Sequence, residues 1–227
     1  FDDGVSTSTS ATVTGLSNGT EYTFRVSATN EIGTGNPSST AVATPATTPG
    51  KPTGLSTTSG DGQVELSWTA PADNGGKTIT GYTVEKNCAD SGWSQATTTS
   101  GATSATVTSL TNGVSCDFRV SATNSVGTGD PSDAETATPA AVPGKPTLSA
   151  TSGDGQVELS WTAPADNGSS ITDYGVQFSS DGGTSWSTFD DGVSTSTSAT
   201  VTGLSNGTEY TFRVSATNEI GTGNPSS

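Results

Sequence analysis

Residue types that could carry out chemistry are few in this chain. It has two cysteines, Cys88 and Cys116, no histidine, and 22 acidic residues against 7 lysines and arginines. Without histidine, neither a Ser-His-Asp nor a Cys-His nucleophile can be assembled, and the common histidine-containing metal motifs are excluded as well. Two cysteine thiolates alone do not complete a four-ligand zinc site. The sequence therefore predicts a protein without catalytic residues and without a bound cofactor.

Adjacent carboxylates are the remaining candidates for metal chemistry. Asp2-Asp3 and Asp190-Asp191 each precede a glycine in the segment FDDG. Neighbouring residues of a strand point to opposite faces, and glycine after acidic residues is typical of a turn. We interpret these pairs, and the Asp-Asn-Gly segments at residues 73–75 and 166–168, as solvated turns. Weak Ca²⁺ binding is the alternative.

Two tryptophans and three asparagines are candidates for contact with sugars. Trp93 and Trp186 follow predicted strands and could stack on sugar rings, although half-buried packing against a sheet is the interpretation that we favour. Asn18, Asn167 and Asn206 begin Asn-Gly-Ser/Thr sequons, to which a glycan attaches in a host that glycosylates asparagine. Because Asn-Gly is also a favoured turn dipeptide, the sequons have a purely structural interpretation too.

Charge and composition narrow the range of partners. The formal net charge of -15 repels phosphate backbones and anionic lipids, which excludes nucleic acid as a partner. No apolar run approaches the length that inserts into a bilayer. We interpret the acidity as a means of solubility, with loading by divalent cations as the alternative. Methionine is absent, and together with the two cysteines this favours an extracellular chain, secreted or exposed on a cell surface.

The elements that position these residues recur along the chain. Residues 1–39 are repeated without change as residues 189–227, a shift of 188, and the segment GDGQVELSWTAPADNG begins at Gly60 and again at Gly153, a shift of 93. Since 188 is twice 94, the repeating unit is a module of 93 to 94 residues. We expect the chain to be a piece of a longer array of such modules.

Short alternating runs predict strands within each module. Val64, Leu66 and Trp68 alternate with polar residues, which is the period-two pattern of a strand with one buried face. Turn residues separate the runs, and no segment has helical periodicity. The pattern predicts an all-β fold with an antiparallel sandwich of about seven strands per module. The predicted core residues are Trp68, Val84, Phe118, Val120, Trp161, Val176, Phe212 and Val214.

Several spaced positions make the chain resemble tandem fibronectin type III domains of bacterial-type secreted or cell-surface proteins. In the second module they include residues 66–68 (LSW), 79–84 (ITGYTV) and 118–124 (FRVSATN), and Trp161, Tyr174 and Phe212 are among their counterparts in the third. The resemblance implies tandem immunoglobulin-like, seven-stranded antiparallel sandwiches. The Pro-rich segments between them predict semi-rigid spacers.

The resemblance also implies a role for the two cysteines. In the family, a tyrosine at the start of strand F caps the preceding turn, and Tyr22 and Tyr210 occupy this tyrosine-corner position. The second module has Cys116 there instead. Strands C and F of the family are antiparallel neighbours, which places Cys88 beside Cys116. We therefore expect a disulfide that replaces the missing tyrosine, with a buried reduced pair as the alternative.

The limits of the domains follow from the same resemblance. Residues 1–45 are predicted to be the C-terminal part of a domain, residues 46–139 a complete domain, and residues 140–227 a domain that lacks its last strand. Such a chain should be less stable than one extended through a copy of Pro45, because sheet edges stay open.

Repetition of surface as well as core predicts a noncatalytic structural or spacer array in an extracellular stalk, filament or sheath that supports adhesion. Its expected partners are neighbouring copies of the repeat, or a protein or glycan surface. The alternatives are an accessory tract of a secreted carbohydrate-active enzyme and a glycan-binding adhesin.

Overall fold

The computed structural model describes residue 4 and residues 6–227. Its regular structure is made of β-strands, and none of the elements in these residues is a helix. The prediction of an all-β fold is therefore confirmed. The pair Asp2-Asp3 lies outside the described residues.

The first module contributes two small antiparallel sheets. Its strands are β1 (Tyr22–Phe24), β2 (Thr29–Asn30), β3 (Gly33–Thr34) and β4 (Ala41–Ala43). Strand β1 pairs with β4, and β2 pairs with β3. The side chains of β4 are exposed.

The second module is a complete sandwich of seven strands. They are β5 (Thr53–Gly60), β6 (Gln63–Thr69), β7 (Gly81–Cys88), β8 (Ser94–Thr99), β9 (Ser104–Val107), β10 (Cys116–Thr123) and β11 (Glu135–Ala137). One sheet has the order β5-β6-β9 and the other the order β11-β10-β7-β8, with antiparallel pairing throughout.

The third module repeats this arrangement over six strands. They are β12 (Thr147–Gly153), β13 (Gln156–Thr162), β14 (Asp173–Ser179), β15 (Ser187–Phe189), β16 (Ser198–Thr202) and β17 (Thr211–Thr217). The sheets have the orders β12-β13-β16 and β15-β14-β17. Strand β17 corresponds to β10, but within the described residues no strand equivalent to β11 pairs with it.

A hydrophobic core lies between the two sheets of each of these modules. Trp68 and Trp161 are buried, and their rings pack on Tyr82 and Tyr174 with centroids 5.4 Å apart in both modules. Such aromatic pairs contribute about 0.5–1.5 kcal/mol beyond the area that they bury. Burial also raises the pKa of both tyrosines.

Seven of the eight predicted core residues are buried, and the eighth departs from the prediction. Phe212 is only half-buried, although it packs against the core of the third module. Its counterpart Phe118 is fully buried. The difference follows from strand pairing, because Phe118 lies between β7 and β11, whereas among the described strands only β14 pairs with β17 at Phe212.

The hairpin between β7 and β8 gives a first testable prediction. Ala89 and Asp90 both have positive φ, 49° and 55°, and the N–H of Ser91 donates to the carbonyl of Cys88. This is a type I′ turn, whose second central position favours glycine. We expect Asp90→Gly to raise the unfolding free energy of the second module by about 0.5–1 kcal/mol, because an L-residue is strained there.

Urea denaturation monitored by tryptophan fluorescence would measure this change. Ser91→Gly is the matched control, because Ser91 is not among the residues with positive φ, and glycine there should give no stabilisation. A lower stability of the Asp90→Gly variant would contradict the strained-turn interpretation.

Candidate functional site

The structure joins Cys88 and Cys116 by a disulfide within the second module. The two residues lie directly opposite each other in the register of β7 and β10, and Cys116 is buried at the edge of the core. The bond closes a loop with a sequence separation of 28 residues. It therefore connects the third and sixth strands of the sandwich at the position where the other modules carry a tyrosine.

Tyr22 and Tyr210 hold the same turn by hydrogen bonds. The hydroxyl of Tyr22 accepts the N–H of Ser17 at 3.0 Å, and that of Tyr210 accepts the N–H of Ser205 at 3.3 Å. The ring of Tyr210 also packs on Phe178, with centroids 6.2 Å apart. The third module thus uses an aromatic contact and a hydrogen bond where the second uses a covalent bond.

Trp93 and Trp186 are partly covered by arginines of their own modules. The guanidinium of Arg119 lies 4.1 Å from the ring centre of Trp93, and that of Arg213 lies 4.0 Å from the ring centre of Trp186. Arg119 is also paired with Glu85 at 2.8 Å. One face of each indole is therefore occupied by a cation-π contact, which favours the packing interpretation over a sugar platform.

Four aspartates, Asp73, Asp166, Asp181 and Asp190, accept hydrogen bonds from backbone or hydroxyl groups of their own loops. Hydrogen bonds from the hydroxyls of Ser179 and Ser185 hold the pKa of Asp181 well below its usual value. Asp190 accepts the N–H of Gly192 at 3.1 Å, and desolvation raises the pKa of its neighbour Asp191. In residue 4 and residues 6–227, no group of three or more Asp, Glu, His or Cys side chains is placed to hold a metal ion. Weak Ca²⁺ binding stays a prediction.

The three sequon asparagines have different surroundings. Asn18 is exposed. The amide nitrogen of Asn206 donates to Asp154 at 2.8 Å, and that of Asn167 donates to the carbonyl of Val142 at 2.8 Å. The amide nitrogens of Asn167 and Asn206 therefore already hold a loop in this structure.

The Asp-Asn-Gly turns lie at the joints between modules, where their backbone contacts the linker while the side chains of Asp73, Asn74 and Asp166 remain exposed. Between the second and third modules, Gly113 donates its N–H to the carbonyl of Pro139, and Ala141 donates to the carbonyl of Asn167. The two distances are 2.9 and 3.0 Å. The linker is therefore bonded both to the turn before β10 and to the turn before β14.

The joint between the first and second modules has the same contacts. Gly19 donates to the carbonyl of Pro45, and Thr47 donates to the carbonyl of Gly75, both at 2.9 Å. Further along the linker, Gly50 donates to the carbonyl of Asp73, as Gly144 does to the carbonyl of Ala165. Two Pro-rich linkers of different sequence thus follow the same hydrogen-bonded path.

Two glycines meet at the centre of each joint. A Cβ added to Gly168 would overlap the backbone nitrogen of Gly113, and one added to Gly76 would overlap that of Gly19. Gly76 and Gly168 also have φ values of +79° and +87°, which L-residues rarely adopt. Both positions therefore require glycine for backbone conformation and for close approach of the neighbouring module.

A buried asparagine fixes the linker to each following module. Asn124 is only 4% exposed, and its amide nitrogen donates to the carbonyls of Thr47 and Asn74 at 2.8 and 2.9 Å. Its side-chain oxygen accepts the N–H groups of Val126 and Gly127. Asn218 occupies the same place in the third module, where its amide nitrogen donates to the carbonyl of Ala141.

The sequence identified the Pro-rich linkers as semi-rigid spacers, but it did not identify the turns that they contact. The available signal was the recurrence of Asn-Gly before strand β10 and before strand β17, together with Asp-Asn-Gly before strands β7 and β14. An Asn-Gly dipeptide has the same local signature whether its turn is solvated or packed. Residue type alone therefore could not show that these turns meet.

The fold and the joints define a modular all-β protein, a string of immunoglobulin-like sandwiches. The family model for the fibronectin type III domain matches residues 2–44, 50–138 and 141–227. The chain belongs to the fibronectin type III family, and it contains an array of these domains.

Individual proteins similar to this chain come from animals and from Niallia circulans. The chain is 31% identical over 229 residues to human myomesin-2, covering 94% of this chain and 16% of that protein. It is 35% identical over 168 residues to chitinase A1 of Niallia circulans, covering 70% of this chain and 22% of the chitinase. The crystal structure of the chicken CNTN1 FN1-FN3 domains is similar over 93% of this chain and 77% of the CNTN1 chain. The sequence identity is 20% and the TM-score is 0.43.

The chain thus spans a small part of the curated relatives that it matches. The described residues contain no helix long and apolar enough to cross a membrane.

Proposed function

We propose that this chain is a noncatalytic spacer, an array of fibronectin type III modules held at fixed angles within an extracellular stalk, filament or sheath. The observation that carries the proposal is the repetition of one joint. The same backbone hydrogen bonds and the same glycine contact occur between the first and second modules and between the second and third. A joint repeated in this way gives every module the same orientation relative to its neighbour.

The energetics of the joint favour stiffness over tumbling. Each linker donates and accepts several backbone hydrogen bonds, and each such bond contributes about 0.5–1.5 kcal/mol net. Pro45, Pro49 and Pro52 restrict the backbone between these bonds. Opening a joint would release all of its bonds together, so we expect the modules to move as one rod.

Two further features support an extracellular location and a noncatalytic role. A structural disulfide is typical of proteins that leave the reducing cytosol. Asn124 and Asp181 use their polar side chains to hold a joint and a loop. The partners that fit this function are neighbouring copies of the repeat and, for adhesion, a protein or glycan surface.

The second candidate is an accessory tract of a secreted carbohydrate-active enzyme. Its support is the 35% identity to chitinase A1. The glycan-binding form of this idea has less support, because Arg119 and Arg213 already cover one face of Trp93 and Trp186. The chain should co-sediment with insoluble chitin if the second candidate is correct. Loss of this binding in the Trp93→Ala variant would favour that candidate.

Gly168→Ala tests the rigid joint. The added Cβ would collide with the backbone of Gly113, so the second joint has to open. Fluorescence energy transfer between dyes on the second and third modules should give a narrow distance distribution in the wild type and a broad one in the variant. X-ray scattering should show the same loss of a defined shape.

Gly207→Ala is the matched control for this experiment. Gly207 has a φ of +81°, close to the +87° of Gly168, and lies in the same module, but a Cβ there meets no atom within 4 Å. It therefore reproduces the backbone strain without the collision. A broad distance distribution already in the wild type would refute the rigid spacer.

A further inference from the structure

A cavity lies beside the disulfide of the second module. It is lined by Lys86, Leu110 and Thr111 together with Cys88 and Cys116, and its volume is about 260 Å³. Cavities that take drug-sized ligands measure about 300–1,000 Å³, so this one suits a ligand of a single ring. Cys116 is buried and Leu110 packs against the core, which makes the inner wall of the cavity apolar.

Three residues of this cavity correspond to the residues around a tyrosine ring in the third module. There, Tyr210 packs on Phe178, and its hydroxyl accepts the N–H of Ser205. The counterparts of Tyr210, Phe178 and Ser205 in the second module are, in that order, Cys116, Lys86 and Thr111. The cavity therefore lies where the third module holds a phenol ring of its own.

Two polar groups of the cavity suit the hydroxyl of a phenol. The N–H of Thr111 has no hydrogen-bond acceptor among the residues that the structure describes, whereas its counterpart in the third module donates to the tyrosine. Ser109 also lines the cavity, and its φ of 59° is one that L-residues rarely adopt. The other modules have Gly15 and Gly203 at this position, both with positive φ. The second module thus carries a hydroxyl where the backbone favours glycine, and strained residues of this kind cluster at binding sites.

We propose that this cavity binds one phenol ring, supplied by a free para-substituted phenol or by a tyrosine side chain of another polypeptide. The ring lies against the disulfide, because sulfur is a favourable neighbour of aromatic rings. Lys86 replaces the aromatic contact of Phe178 by a cation-π contact. The hydroxyl of the ligand accepts the N–H of Thr111 and donates to the hydroxyl of Ser109. This inference does not depend on the spacer function.

Titration of the oxidised chain with para-cresol, followed by amide NMR, tests the site. We expect a saturable downfield shift of the Thr111 amide proton with a dissociation constant of about 1–10 mM. The Ser205 amide is the internal control and should not move, because it already donates to Tyr210. Toluene has the ring without the hydroxyl, so it should bind more weakly and leave the Thr111 proton in place. N-acetyltyrosine amide distinguishes the two sources, because it binds as tightly as para-cresol only if the site accepts a tyrosine within a polypeptide.

Variants of the cavity sharpen the test. Lys86→Met should weaken para-cresol binding by about two- to fivefold through loss of the cation-π contact. Lys77→Met is the matched control and should have no effect, because Lys77 is exposed and does not line the cavity. The double variant Cys88→Ser, Cys116→Tyr should abolish binding, because a ring of the module's own then fills the space. The proposal is overturned by equal shifts at Thr111 and Ser205, by undiminished binding in the double variant, or by no saturable shift up to about 50 mM para-cresol.

Discussion

Replacing both Cys88 and Cys116 by serine is expected to lower the unfolding free energy of the second module by about 3–4 kcal/mol. The disulfide closes a loop across the sheet, and without it the unfolded chain gains conformational freedom. The second module also lacks the tyrosine that would otherwise hold this turn. Urea denaturation under non-reducing conditions, monitored by tryptophan fluorescence, would measure the change.

The third module provides an internal control for this experiment. It contains neither cysteine, so the transition reported by Trp161 and Trp186 should not move. A Cys88→Ser, Cys116→Tyr variant should recover about 1 kcal/mol, the contribution of one hydroxyl hydrogen bond at the tyrosine position. If the unfolding free energies of both modules fell equally, or if that of the second module did not change, the disulfide would not be a local anchor of the second module.

Replacing Asn124 by alanine is expected to cost the second module about 2–3 kcal/mol. The side chain is buried and satisfies the carbonyls of Thr47 and Asn74 and two N–H groups of its own loop. Alanine leaves these groups without a partner, and each buried unsatisfied group costs about 1–3 kcal/mol unless water reaches it. The measurement is again the free energy of unfolding from urea denaturation.

Asn30→Ala is the matched control. Asn30 holds the same position in the first module and accepts the N–H groups of Ile32 and Gly33, but it is exposed. Its loss should cost less than about 1 kcal/mol, since water can replace those bonds. If the two substitutions had equal effects, the linker contacts of Asn124 would contribute nothing. With dyes on the first and second modules, energy transfer should show a broader distance distribution in Asn124→Ala, whereas dyes on the second and third modules should show no change.

Both predictions concern contacts that hold the second module and that differ from those in its neighbours. The second module replaces a hydrogen bond by a covalent bond between β7 and β10, while the joints on either side of it use backbone groups and glycines. Because the joint contacts are mainly between backbone atoms, the linkers keep the same path although Thr47 is replaced by Ala141. This explains how the array can vary its linker sequence without changing its geometry.

The sequence by itself determined the module, the strands and most of the core. Strand alternation has a period of two residues that the backbone imposes, so Val84 and Val120 could be assigned to buried faces without knowing the fold. The disulfide became predictable once the family resemblance supplied the pairing of strands C and F. Phe212 shows the limit, because its half-burial depends on whether another strand covers its edge.

Only the tertiary structure decided what the turns and loops contact. The Asp-Asn-Gly turns and the arginines beside Trp93 and Trp186 have ordinary surface sequences, and their packing depends on residues tens of positions away. The same holds for Asn124, whose amide reaches the carbonyl of Thr47, 77 residues earlier in the chain. Local sequence specifies backbone conformation, whereas contacts between modules depend on the path of the linker and on the shape of both surfaces.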